Sequence, residues 1–72
     1  MEIQTLNRLR IIRKAKGYSL EQLAILSGVS KSEINDIERG LKIPGQLTIM
    51  QISDALDMPA YKIFKLNEKF PF

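Results

Sequence analysis

Cysteine and histidine are both missing from this chain of 72 residues. Their absence removes the thiol nucleophile, the imidazole base and every common zinc arrangement. It also excludes a disulfide framework, in keeping with a reducing cytoplasm, the expected compartment. Carboxylates remain, but no glycine-rich phosphate loop or metal-binding acidic run accompanies them. An enzyme is therefore not expected, and neither is a cofactor or a metal. No apolar run approaches the roughly 20 residues of a membrane span. The N-terminus also lacks the basic start and apolar core of a signal peptide. Internal repeats, low-complexity tracts and interdomain linkers are absent as well.

What is present is enough for one domain. With 44% hydrophobic and 26% charged residues, the chain reads as globular, near the lower size at which a core sustains itself without disulfides or metal. The stretch from Ser19 to Gly40 organises it. Ser19 with Gln22, and Ser30 with Glu33, each have the spacing of a capping box, in which serine and Gln or Glu satisfy each other's backbone N–H groups. Gly28 and Gly40 stand where a helix ends in a left-handed residue. Leu20, Leu23, Ala24 and Leu26, then Val29, Ile34 and Ile37, give each helix one apolar face. Two capped helices joined by a glycine turn predict a helix-turn-helix, whose second helix is shaped to enter a DNA major groove.

Around this pair the periodicity predicts three more helices. A first helix is expected from about Ile3 to Lys16, with Leu6, Leu9, Ile12 and Arg13 on one face and Gly17 as its stop. The pair itself is expected at about Leu20–Ser27 and Lys31–Arg39. Pro44 and Gly45 break the loop that follows. A fourth helix, about Gln46–Leu56, is expected to carry Leu47, Ile49, Ile52, Ala55 and Leu56 into the core. Pro59 suits the opening of a fifth, which runs through Tyr61, Ile63 and Phe64 and fades by about Asn67. The expected fold is all-α, a compact five-helix bundle, with residues 1–66 forming the domain and 67–72 a C-terminal tail.

The net charge is +3, and up to Lys42 the bases Arg8, Arg10, Arg13, Lys14, Lys16, Lys31, Arg39 and Lys42 outnumber the acids Glu2, Glu21, Glu33, Asp36 and Glu38. Beyond it, Lys62, Lys65 and Lys69 are balanced by Asp54, Asp57 and Glu68. The excess is thus expected to lie with the helix-turn-helix, as a phosphate-facing surface needs. An ordinary solvated surface would look much the same.

Leu9-Arg10-Ile11-Ile12-Arg13, Lys16-Gly17-Tyr18-Ser19, Leu23-Ala24, Gly28-Val29-Ser30 and Ile37-Glu38-Arg39-Gly40 together resemble the Cro/repressor-type (Xre-like) helix-turn-helix domain. Pro44, Ile49, Ile52, Ala55-Leu56 and Ile63-Phe64 continue the pattern, which covers about residues 5–65. The start Gly17-Tyr18-Ser19-Leu20 is similar to that of SinR-type bacterial repressors. The resemblance implies a lambda-repressor-like fold with the helix-turn-helix in helices 2 and 3. It also implies an internal ion pair between Arg13 and Glu38, so Glu38 is assigned to structure. Both residues lie on otherwise apolar faces, and each needs the other to be buried tolerably.

By the same resemblance, base-reading positions fall on Lys31, Ser32 and Asp36, with Asn35 close by. Lysine can donate to guanine O6 and N7, asparagine can pair with adenine, and aspartate can accept from cytosine N4. Plainer roles exist for each: phosphate contact for Lys31, close approach for the small Ser32, rejection of wrong registers for Asp36. Phosphate contacts are implied for Tyr18, Ser19, Gln22, Arg39 and Lys42, with packing beside the second helix as the other role of Tyr18. Two positions depart from the family pattern. Leu20 stands where Gln is frequent, and Gly45 where a Ser or Thr cap is common.

Phe70 and Phe72 either fold back over the domain or join Tyr61, Ile63 and Leu66 in a self-complementary patch for a two-fold dimer. The family favours a dimer through the helix 4–5 end, which sets two recognition helices about one DNA turn apart on a palindrome. The expected function is a sequence-specific double-stranded DNA-binding transcriptional regulator, a repressor acting as a homodimer. With no effector domain in sight, control falls to its own concentration, proteolysis or a partner protein. A restriction–modification controller or an antitoxin-like autoregulator would be built alike. The reading from another class is a helix-turn-helix that acts mainly as a protein-interaction module with weak DNA binding. Leu20, Glu33, Asp36 and the modest charge favour it.

Overall fold

Apolar residues at spacings of three and four, interrupted by Gly17, Gly28, Gly40 and Gly45, divide the chain into segments too short to be stable helices alone. Each needs a shared core. The structure is a computed structural model that describes residues 7–64. The described residues form five α-helices: α1 Leu9–Ala15, α2 Leu20–Ser27, α3 Lys31–Glu38, α4 Gln46–Leu56 and α5 Ala60–Ile63. None of them is long and apolar enough to cross a membrane. Helix α2 packs against both α3 and α4, while α1 lies on α3 and α5 on α4.

Leu9, Leu23, Ile34, Ile37, Ile52, Leu56, Ile63 and Phe64 are the largest side chains sealed in the centre, with Val29 and Ile49 beside them. Tyr18, Leu20, Ala24, Ala55 and Ile12 close over that cluster from its edges. Every element thus gives at least one residue to a single core, so α3 cannot shift without disturbing the rest. That common core fixes α3 to its scaffold.

Several expectations need correction. Helix α1 begins at Leu9, because Asn7 forms an antiparallel bridge with Phe64 and Arg8 N–H donates to the Ile63 carbonyl at 2.7 Å. Residues 3–6 of the expected first helix lie outside the described residues. The same bridge ends α5 early: Phe64 is already extended (φ −112°, ψ 128°), and the expected continuation to Asn67 lies beyond the described chain. Arg39 is the C-cap of α3, not its last turn. Leu47 is 69% exposed, and Leu26 is also on the surface. Both fit the apolar pattern by spacing alone, but Leu47 lies on the side of α4 away from Ile49, Ile52 and Leu56, and Leu26 lies at the edge of the buried face of α2.

Candidate nucleic-acid interface

The turn between α2 and α3 is built by local chemistry. Ser19 and Gln22 form a reciprocal box: Gln22 N–H donates to Ser19 Oγ at 3.0 Å, and Ser19 N–H donates to Gln22 Oε1 at 2.8 Å. Gly28 takes up the left-handed conformation (φ 77°) that ends α2, a conformation costly for any residue with a Cβ. Ser30 then caps α3, accepting from Glu33 N–H at 3.1 Å. This second cap is one-sided. The Glu33 carboxylate does not return to Ser30; its Oε2 lies 3.6 Å from Lys42 Nζ.

Helix α3 buries Ile34 and Ile37. Helical geometry places Ser32, Asn35, Asp36 and Arg39 on the opposite side, at spacings of three and four. Ser32 and Arg39 are exposed, and Asn35 and Asp36 half-buried. Three of the four residues implied for base reading therefore share one ridge with Arg39. Lys31, the first residue of the helix, is exposed on one flank of the ridge, and Glu33 lies on the other.

Three side-chain ties join α1 and its approach to the helix pair, two of them to α3 and one to the segment before α2. Arg13 on α1 meets Glu38 in a fork, Nε to Oε2 at 2.6 Å and Nη2 to Oε1 at 3.1 Å. Their side chains are only 8% and 3% exposed. The remaining Arg13 nitrogen, Nη1, donates to the Tyr18 carbonyl at 2.9 Å, tying the approach to α2 into the same group. The hydrogen bond to Glu38 holds the Arg13 guanidinium above its ordinary pKa, against the burial that pulls it down. The third tie escaped sequence reasoning: Asn7 Nδ2 donates to the Ile37 carbonyl at 3.1 Å, while its Oδ1 accepts from Leu9 N–H at 3.1 Å. An asparagine two residues ahead of an apolar helix is a capping signal, masked here by the apolar spacing that continues upstream to Leu6.

The electrostatics differ from expectation. The cations of Tyr18–Lys42 are Lys31, Arg39 and Lys42, set against Glu21, Glu33, Asp36 and Glu38. The positive excess belongs to α1 and its flanks, through exposed Arg8, Arg10, Lys14 and Lys16. Lys31 Nζ also lies 3.4 Å from Glu21 Oε2 across the turn. Tyr18 is half-buried and packs on the core, as its packing role requires. Ser19 and Gln22 are exposed with their oxygens engaged in the box, which uses neither the hydroxyl proton nor the amide NH2.

At the other end of the molecule Tyr61 is 68% exposed, whereas Ile63 is only 1% exposed. Ile63 is a core residue, so it cannot offer a dimer contact as expected. Its position at the end of α5, against the Asn7–Arg8 segment, turns it inward. Leu66, Phe70 and Phe72 lie outside the described residues.

A capped helix pair joined by a glycine turn, with a locked second helix, defines a helix-turn-helix domain. The chain belongs to the Cro/repressor-type (Xre-like) helix-turn-helix family HTH_3, whose model matches residues 9–63. It is 42% identical over 57 residues to the HTH-type transcriptional regulator SlrR of Bacillus subtilis (strain 168), an alignment covering 78% of this chain and 38% of SlrR. The chain thus corresponds to well under half of that relative's length. Among solved structures it superposes on the restriction-modification controller protein C.AhdI of Aeromonas hydrophila with a TM-score of 0.74 and 40% identity, over 76% of this chain and 83% of that one. The biofilm master regulator SinR, in its crystal structure with DNA, matches with a TM-score of 0.71 and 40% identity, over 75% of this chain and 87% of that one.

Proposed function

We propose that this chain is a sequence-specific double-stranded DNA-binding transcriptional regulator, a repressor that binds a palindromic operator as a dimer. The observation that carries the reading is the ridge Ser32, Asn35, Asp36 and Arg39 on a helix held to α1 by the buried Arg13–Glu38 fork. A reading helix needs both parts: polar groups matched to base edges and a scaffold that fixes their register. Family membership and the likeness to SinR, solved with DNA, support it.

In this reading Ser32, Asn35 and Asp36 face base edges and Lys31 reaches guanine or the adjoining backbone. The donors of Ser19 and Gln22 that the box leaves unused grip phosphate ahead of α2, and Arg39 and Lys42 do so beyond α3. Tyr61 contributes to the two-fold contact, together with Leu66, Phe70 and Phe72. The function involves no catalytic step and no cofactor. The near balance of charge on the helix-turn-helix favours a second reading, a module that binds another protein.

Binding-site enrichment from a random pool, followed by fluorescence anisotropy of the selected duplex across a salt series, separates the two. A palindrome bound far above random DNA, with affinity falling steeply as salt rises, supports the repressor reading. Failure to enrich any sequence, with weak binding even at low salt, overturns it in favour of the protein-interaction module.

A further inference from the structure

The two lysines that flank the recognition helix are both already engaged. Lys31 Nζ sits 3.4 Å from Glu21 Oε2, and Lys42 Nζ sits 3.6 Å from Glu33 Oε2. The pairs are arranged alike. Each joins one residue of the first turn of α3, Lys31 or Glu33, to a partner outside that helix: Glu21 in the first turn of α2, or Lys42 in the loop after α3. They therefore stand on either side of the ridge formed by Ser32, Asn35, Asp36 and Arg39. Arg39 is exposed and has no ion pair among the described residues.

Such a surface attracts DNA only weakly before contact. Non-specific affinity comes almost wholly from cations that displace counterions from phosphate, and here two of three nearby cations are matched by carboxylates. The pairs are also loose enough to exchange. The Lys31 and Glu21 side chains are 56% and 73% exposed, and those of Lys42 and Glu33 52% and 29%; pairs reached by solvent in this way contribute little to stability. A phosphate or guanine edge placed correctly can replace the carboxylate, whereas a misplaced backbone gains little from doing so.

We propose that Glu21 and Glu33 are specificity-determining residues: they hold Lys31 and Lys42 in exchangeable ion pairs that suppress binding to random DNA. The proposal rests on the DNA-binding reading above and assigns a role to two residues that need not touch DNA at all. Discrimination then arises partly from what these carboxylates withhold, a device of the same kind as repulsive elements in other selective interfaces.

The test is anisotropy with a fluorescein-labelled, mixed-sequence duplex about two helical turns long, over a salt series, using the full chain. Glu21→Gln and Glu33→Gln are each expected to bind this duplex about two- to five-fold more tightly at low salt. The plot of log affinity against log salt should steepen by up to about 0.9 per freed lysine. Circular dichroism checks that both variants keep their helices, since Ser30 caps α3 through the Glu33 backbone N–H, which Gln retains. A cycle with Lys31→Met separates pairing from plain repulsion. Glu21→Gln should have no effect in the Lys31→Met background if Glu21 acts through that lysine. An equal gain in both backgrounds, or unchanged affinity and slope in the Gln variants, overturns the proposal while leaving the DNA-binding reading standing. If the unaltered chain and its variants all fail to bind any duplex at low salt, both fall together.

Discussion

Arg13 and Glu38, 25 residues apart in sequence, meet as fork against fork in the seam between α1 and α3. Desolvating two charges is costly, and the return comes only while both are present. Arg13→Leu or Glu38→Leu alone should lower stability by about 3–5 kcal/mol, because the survivor is left buried and uncompensated. Arg13→Leu should be the worse of the two, since it also frees the Tyr18 carbonyl. The double change Arg13→Leu/Glu38→Leu should cost less than the sum of the single ones. Urea denaturation of the four proteins decides this; additive losses would refute the coupling.

The two serine caps should respond differently to loss of the side chain three residues on. Ser19→Ala and Ser30→Ala should each cost about 1 kcal/mol, the ordinary value of a lost N-cap. Gln22→Ala should add to the first loss because Gln22 returns a bond to Ser19 N–H. Glu33→Ala should cost less than Gln22→Ala, because the Glu33 carboxylate returns no bond to Ser30 N–H. A loss for Glu33→Ala equal to that for Gln22→Ala would contradict the one-sided geometry.

Two left-handed residues should respond in opposite directions. Gly28 (φ 77°) and Asp57 (φ 56°) both end helices in this conformation. A Cβ on Gly28 would meet only Gln51 Nε2 at an ordinary 3.6 Å. The loss from Gly28→Ala, about 1 kcal/mol, is thus a backbone effect and not a clash. Asp57→Gly relieves the same strain and should hold stability level or raise it. Chemical denaturation of both variants gives the signs directly.

Much of this architecture was legible because it is written in local spacing. The ends of α2 follow from Ser19 and Gly28, and the bounds of α4 from Gly45 and its apolar repeat, since caps and breakers act within a few residues. The features that sequence obscured all depend on partners far along the chain. Nothing near Ile63 or Phe64 signals that they face Asn7 and Arg8, so α1 and α5 were both expected to be longer. Leu47 and Ile49 look alike in a hydrophobic pattern, yet only Ile49 is buried in the core. Glu21 and Glu33 read as helix-start acids, and only the fold brings them to Lys31 and Lys42. Arg13 and Glu38 were accessible only through the family resemblance.

Asn7 makes a further tie whose value can be read separately. Its amide donates to the Ile37 carbonyl at the end of the recognition helix and accepts from Leu9 N–H at the start of α1. Asn7→Ala should cost about 1 kcal/mol, a moderate figure because Ile37 O still accepts from Gly40 N–H at 3.0 Å. Asn7→Asp should be no better than alanine at neutral pH. It keeps an acceptor for Leu9 but sets a carboxylate oxygen against the Ile37 carbonyl. Thermal melts of the two variants compare them, and full recovery by aspartate would mean that only the Leu9 cap matters.

Arg39 and Asn35 occupy the same ridge but should fail in different ways once an operator has been selected. Arg39 is exposed near the C-terminal end of α3, where its charge can meet phosphate. Arg39→Ala should weaken binding to all duplexes by a similar factor and reduce the salt slope by about 1. Asn35 carries an amide, which can pair with adenine but has no charge to release counterions. Asn35→Ala should leave the salt slope intact while costing about 1–3 kcal/mol of discrimination at one base pair. Anisotropy against the operator and its single-base variants, at several salt concentrations, measures both quantities at once. If Arg39→Ala changed base preference and Asn35→Ala changed only the salt slope, the ridge would be docked in a different register, with Arg39 in the groove and Asn35 against the backbone.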